Sequence, residues 1–277
     1  MTPRDRQTTE TPTTLVDIQA TPDARNIPID RVGVRNVKYP MQIRGRDGDL
    51  QHTVGQFTLT VGLPKEFKGT HMSRFVEVLS EHNHDLSVDT IPAVLDNLRL
   101  RLAAETAYLD VKFLLFMEKA APVTGKTGMM GFECAFLATG GEVDAFQLEV
   151  MVPVTTLCPC SKEIADRGAH NQRGYVRVKL TPDRKLGTLW LEDVIDMVEA
   201  AGSAPLYPLL KRPDEKYVTE LAYDNPRFVE DMVREVALAF DADARVLAYE
   251  IEVENHESIH DHNAYAYLKR ERNSVVG

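Results

Sequence analysis

The chain opens, after a polar lead, on two alternations of apolar and polar positions. Residues 31–45 (RVGVRNVKYPMQIRG) and 52–63 (HTVGQFTLTVGL) carry the period of half-buried strands. The period then lengthens. A helical stretch begins near His71, with Phe75, Val76, Val78 and Leu79 able to share a face. A second follows Asp89-Thr90, which can cap it. Pro92 stands in its first turn, and Val94, Leu95, Leu98 and Leu102 recur at helical spacing. Alternation returns at 109–118 (LDVKFLLFME) and 128–138 (GMMGFECAFLA).

The order then repeats. Strands are predicted at 144–154 and 174–181, helices at about 190–201 and 226–241, and strands again at 244–254 and 263–270. Asn225-Pro226 marks the start of the last helix, and Phe228, Val229, Met232, Val233 and Val236 line one side of it. Both halves read β-β-α-α-β-β, a repeat of pattern without residue-level identity. Hairpins joined through helix pairs imply an α+β fold, an antiparallel sheet with helices on one face. The division expected is a lead at 1–16, one module at 17–140 and a second at 141–277. The lead is polar and rich in Thr and Pro, the composition of a disordered segment.

Composition narrows the possibilities. The 277 residues can bury a core without staples. A net charge of −10 speaks against a nucleic-acid groove or an anionic membrane surface, although an anionic small molecule can still bind where basic residues cluster. No apolar run has the length of a membrane span, and the N-terminus lacks the apolar centre of a signal peptide. Three cysteines, an odd number, suit a reducing cytoplasm. A disulfide between Cys158 and Cys160 would be strained.

The connection 155–173, TTLCPCSKEIADRGAHNQR, is long for a hairpin and carries Cys, Lys, His and Arg, so a functional loop is expected. Cys158 and Cys160 point to opposite sides if the backbone is extended, and they are too close for an ordinary zinc pair. His170, 12 residues beyond Cys158, can meet it on one ion if the loop folds back. The plainer alternative is a buried small hydrophobe and a surface histidine. A second cluster, ENHESIHDHN (254–263), places His256, His260 and His262 beside Glu257 and Asp261 in a loop between strands. Its alternative is a solvated acidic loop. Histidine is both the usual proton carrier at neutral pH and a common metal ligand. Glu215, in an irregular stretch opened by Arg212-Pro213, is a candidate third ligand, and Glu230 follows in NPRFVED; alone, both read as solvated charges. GTHMSRF (69–75) at a helix start can cradle an anion or can simply cap the helix.

Taken together, DIQATPDARNIPIDRVGVRNVKYPM (17–41), GTHMSRF (69–75), TTLCPCSKEIADRGAHNQRGYV (155–176), LKRPDEKYVTE (210–220), AYDNPRFVED (222–231) and NHESIHDHNAYA (255–266) resemble the type IB GTP cyclohydrolases. The resemblance implies the tunnelling fold (T-fold), in which β-β-α-α-β-β modules assemble across subunits into barrels. It implies a homo-oligomer, typically a tetramer, with sites at subunit interfaces. The implied reaction takes GTP and water to 7,8-dihydroneopterin triphosphate and formate, opening tetrahydrofolate biosynthesis. One divalent metal per site is expected: Zn, Mn or Fe.

By the same resemblance Cys158 binds the metal with His170 and Glu215, and Glu230 anchors the guanine base. His260 and His262 move protons, with Glu257 orienting or assisting. His71, Ser73 and Arg74 belong to the substrate surface, and Lys162 and Arg173 reach phosphates. Three rival readings remain. A T-fold nitrile reductase would use Cys158 as a nucleophile, an archaeal-type relative would release a cyclic phosphate, and a non-catalytic protein would hold a structural zinc.

Overall fold

The alternating stretches fold into strands that pair largely in chain order. In the computed structural model, which describes residues 17, 19, 21–82, 86–142 and 144–272, the strands are β1 (Ile29–Arg44), β2 (Leu50–Leu63), β3 (Ala107–Ala120), β4 (Thr127–Gly140), β5 (Ala145–Leu157), β6 (Asn171–Pro182), β7 (Ala204–Pro205), β8 (Val246–His256) and β9 (Ala264–Glu271). The expected disordered lead, 1–16, lies outside the described residues. All pairings are antiparallel, and one sheet runs β1-β2-β3-β4-β5-β6-β8-β9, with two-residue β7 added beside the end of β5 at Val154 and Thr155. Strand β1 is bulged between Val34 and Val37, where Asn36 takes φ 59° and its side chain accepts from Gln56 Nε2 at 3.0 Å.

Helices α1 (Met72–His82), α2 (Ile91–Leu102), α3 (Pro159–Ile164), α4 (Leu191–Ala201), α5 (Arg212–Asp224) and α6 (Val229–Ala242) complete the fold. The core lies between one face of the sheet and this helical layer. Inward-facing Val150, Val152, Val154, Val176, Val178, Ile251 and Val253 meet Val194, Ile195 and Val198 of α4 and Met232, Val233 and Val236 of α6. The opposite face is mixed: Lys38, Gln56, Lys112, Glu133, Glu149 and Arg177 line a cleft of about 540 Å³ on it together with exposed Val54 and Leu114. Among the described residues no helix is long and apolar enough to cross a membrane.

Several expectations need correction. Two helices were not anticipated. Helix α5 buries only Asp214 and Ala222, its one short apolar run being Val218, Leu221 and Ala222, and Glu215 lies in its first turn rather than in an irregular stretch. Helix α3 occupies part of the supposed long loop. With β5 reaching Leu157 and β6 starting at Asn171, only 158–170 connects the two strands. Cys160 is therefore helical, not extended. Val76 faces outward at 41% exposure, leaving Phe75, Val78 and Leu79 as the buried face of α1. Thr90 makes no side-chain cap to α2, because its hydroxyl bonds with the backbone N–H and C=O of Ser87.

At the starts of α4, α5 and α6 an aspartate three residues in reaches back to the amide before the helix: Asp193 to Trp190, Asp214 to Lys211 and Asp231 to Phe228. Asp214 does more than cap. Fully buried, it also accepts from the amides of Val123 and Thr124 at 2.9 and 2.8 Å and from the Thr124 hydroxyl at 2.7 Å, fixing the start of α5 to the β3–β4 hairpin. Burial alone would raise its carboxyl, but the Thr124 hydroxyl and these amides outweigh it and hold the group well below the usual carboxylate range. Lys119 on β3 and Glu199 on α4 form a second tie, a buried ion pair.

Candidate functional site

The connection between β5 and β6 is built around Cys158. The ladder closes one step beyond Leu157, where the Cys158 N–H donates to the His170 carbonyl at 3.1 Å. This sets the two candidate ligands side by side across a strand pair. Pro159 then starts α3, for which its fixed φ is suited, and Cys158 becomes the N-cap. Its sulfur accepts from the Ser161 amide at 3.4 Å. The Ser161 hydroxyl donates to the Cys158 carbonyl at 3.1 Å and accepts from the His170 amide at 3.2 Å. One serine thus fixes the backbone of both residues. All three cysteines are free, Cys158 half-buried and Cys160 exposed.

His170 also joins the second cluster. Its Nδ1 lies 3.2 Å from the Ser258 hydroxyl, which orients the ring plane and leaves Nε2 on the opposite edge. Ser258 stands in the 257–263 connection between β8 and β9. There the rings of His260 and His262 stack at 5.2 Å with 19° between their planes, both exposed. His262 Nδ1 is 3.4 Å from Asp261, and Asn263 donates to Glu254 at 2.7 Å. Glu257, beside Ser258, has a buried Oε2 without a hydrogen-bond partner.

Two further contacts converge on the end of β5. The Arg227 amide donates to the Leu157 carbonyl at 2.9 Å, bringing the start of α6, and with it exposed Glu230, to the residue before Cys158. Lys162 of α3 donates to the Tyr223 carbonyl near the end of α5, its ammonium 4.3 Å from the Tyr223 ring centroid. In this chain Lys162 is thus engaged as a strut between helices. Arg173, exposed on β6, pairs with Thr155 and His256 on its flanking strands.

The remaining candidates stand apart within one chain. Glu215 is exposed and eight positions, about 12 Å of helix, before Tyr223. Among the described residues no three His, Cys, Asp or Glu side chains converge as a metal site. His71, Ser73 and Arg74 sit at α1, which packs on β1 and α2. There His71 Nε2 is 3.0 Å from Asp17, and Arg74 donates to the Arg101 carbonyl at 3.0 Å. Four strand intervals from β1 to β5 are about 19 Å of sheet, so these side chains and Cys158 occupy separate stations. The clamping serines, Ser161 and Ser258, were not foreseen; neither residue type nor spacing marks them in the sequence.

The sheet order with its one-sided helices also occurs in uricases. The uricase of Arthrobacter globiformis superposes with a TM-score of 0.54 at 6% identity, covering 88% of this chain and 94% of its own. Urate oxidase of Bacillus subtilis 168 gives 0.51 at 8%, covering 87% and 98%. At such low identity the likeness is one of fold, and it defines the class: a tunnelling-fold protein. Within that class the sequence is specific. The family described as type I GTP cyclohydrolase folE2 matches residues 15–266. GTP cyclohydrolase FolE2 of Nitrosococcus oceani is 49% identical over 259 residues, 93% of this chain and 96% of the relative. That of Kosmotoga olearia is 49% identical over 254 residues, 92% and 98%. The chain belongs to the FolE2 family of GTP cyclohydrolases.

Proposed function

We propose that this protein converts GTP and water to 7,8-dihydroneopterin triphosphate and formate, the entry step of tetrahydrofolate biosynthesis. The observation that carries the reading is the Cys158–His170 pair, locked by Ser161 and Ser258, in a chain matched by the family from residue 15 to residue 266.

The donor set fits a divalent metal. A thiol and an imidazole stand together, and the carboxylates of Glu215 and Glu257 are available to complete a set of mixed softness, suited to Zn, Mn or Fe. When bound, the metal supplies a Lewis acid that activates water for attack at C8 of the guanine. The chain's own groups do the rest. Glu230 accepts two parallel hydrogen bonds from N1–H and the 2-amino group, donors that adenine does not offer. His260 and His262, stacked in one loop, deliver protons to the imidazole nitrogens as the C–N bonds open and return them in the later rearrangement. Glu257 orients or assists them. Arg173 supplies positive charge for the triphosphate.

Completion of the site across a subunit interface is part of the proposal. The separation of His71, Ser73 and Arg74 from Cys158 supports it, as do the apolar Val54 and Leu114 exposed on the sheet face away from the helices. A homotetramer built from the modules 17–140 and 141–277, working in the cytoplasm, is the assembly expected. The test is turnover of GTP by metal-stripped protein supplied with single divalent ions, read as the fluorescent pterin after oxidation. Activity should return with at least one of Zn, Mn or Fe. Cys158→Ala should bind no metal and make no pterin while its far-UV circular dichroism stays unchanged. Full turnover by Cys158→Ala would sink the assignment.

A further inference from the structure

The inward-facing positions of β5, β6 and β8 are largely apolar, with Val150, Val152, Val154, Val176, Val178, Ile251 and Val253 at their centre, but at one end of the three strands the chemistry changes. Thr156, Gln172 and Asn255 occupy the core phase there, with exposures of 0%, 9% and 2%. Thr156 pairs directly with Gln172, and Asn255 with Gly174, so the three side chains are near neighbours on the helix-covered face. Gly174 leaves them room: a Cβ at this position would lie 2.7 Å from Asn255 Oδ1 and 3.3 Å from the Thr156 methyl. Thr156 Oγ1, Gln172 Oε1 and Asn255 Oδ1 are each buried without a partner, as is Oε2 of Glu257, two residues beyond Asn255.

Burying an unpaired acceptor is costly, and native interiors seldom leave several together. Amide and carboxylate oxygens cannot satisfy one another, because none of them donates. The Thr156 hydroxyl and the carboxamide N–H groups of Gln172 and Asn255 can donate, but none of them is bonded to these oxygens. Neighbouring polar groups are already engaged elsewhere: the Leu157 amide donates to Ser203 Oγ at 3.0 Å, and Arg227 Nε donates to the Ala201 carbonyl at 3.3 Å. A small donor with two protons and several bonding directions matches this lining, and that describes an internal water.

We propose that Thr156, Gln172 and Asn255 are positioning residues that hold ordered water against the Glu257 carboxylate. They thereby fix the loop carrying Ser258, His260 and His262. The inference deepens the proposed function by naming what aims the histidine loop. The residues touch no substrate; they act through Glu257 and Ser258, the latter being the group that holds the ring of His170.

The test uses the full-length enzyme with its metal supplied. Thr156→Val and Gln172→Met keep side-chain size and remove the polar atoms. Both variants should unfold within about 2 °C of the parent, since each discards an unsatisfied buried group. Their kcat should fall about ten-fold or more with KM for GTP unchanged, and Thr156→Ser should restore kcat. Parental kcat in both variants, or losses of kcat that merely track thermal stability, would overturn the proposal. A crystal structure of the parent enzyme decides independently of how the variants fold. It should show water within about 3.2 Å of at least two of the four oxygens, and an anhydrous cluster would overturn the proposal equally. Parent enzyme that makes no pterin would defeat the functional reading instead, while the water positions would still settle the pocket.

Discussion

Lys119→Met tests whether the tie between β3 and α4 is structural capital or ornament. Lys119 and Glu199 are only 11% and 10% exposed at their side chains, and the ammonium also stands 5.0 Å from the Tyr207 ring centroid. Methionine keeps most of the stem length and removes the charge, leaving the largely buried Glu199 carboxylate without its partner. Removing one partner of a buried pair costs roughly 3–5 kcal/mol. For a chain of this size each kcal/mol moves the thermal midpoint by about 2–3 °C, so a fall of roughly 6–15 °C is expected at pH 7. Burial pushes the Glu199 carboxyl up, and Lys119 offsets this only in part. A carboxyl raised above its unfolded value contributes stability that is full below the unfolded pKa and is lost as pH rises through the folded one. Without Lys119 the folded value climbs further, so the deficit should be largest at pH 7 and shrink on acidification towards pH 5, as Glu199 protonates. Lys119→Met/Glu199→Gln should recover most of the loss. Scanning calorimetry of the parent and both variants at the two pH values measures this. A single variant within about 2 °C of the parent at pH 7, or a deficit that grows towards acid, would refute the reasoning.

Glu230→Gln replaces an acceptor-only carboxylate with a group that also donates. Losing charge-assisted bonds to the base should weaken GTP binding about 10- to 100-fold by titration calorimetry, with the fold retained; undiminished affinity would remove its anchoring role. The three cysteines should separate by reactivity. Cys134 is 4% exposed and burial pushes its thiol far up, whereas Cys160 is exposed and Cys158 half-buried. Metal-free native protein should therefore titrate two thiols quickly with a disulfide reagent and the third only in denaturant. Three fast thiols would contradict the burial of Cys134.

Where burial is one-sided, the sequence announces it. The strands and the helices with an apolar stripe were legible because alternation and helical spacing record which face meets the core. Helix α5 was not, since only Asp214 and Ala222 are buried, Val218 and Leu221 are half-buried, and Tyr217 and Tyr223 are exposed. The Cys158–His170 pairing was anticipated from the loop that returns the chain, but the Ser161 and Ser258 clamps depend on backbone placement that no pattern reports. Thr156, Gln172 and Asn255 did leave a trace: polar residues in the phase where each strand otherwise places mainly apolar side chains. The resemblance also names Glu215, but among the described residues no carboxylate gathers with Cys158 and His170.

The hairpin tip at 121–126 makes its tight return through Gly125, at φ 65°, and lends its amides to Asp214, next to Glu215. Exposed hairpin tips are ordinarily where a lineage can insert or delete residues freely. This one has lost that freedom. Any lengthening would withdraw the donors that seat α5, an element encoded some ninety positions later. The two halves have therefore ceased to be separable inheritances: a change in the first is answerable to the chemistry of the second, and a gene cut between β4 and β5 would yield two fragments, neither with its own foundation.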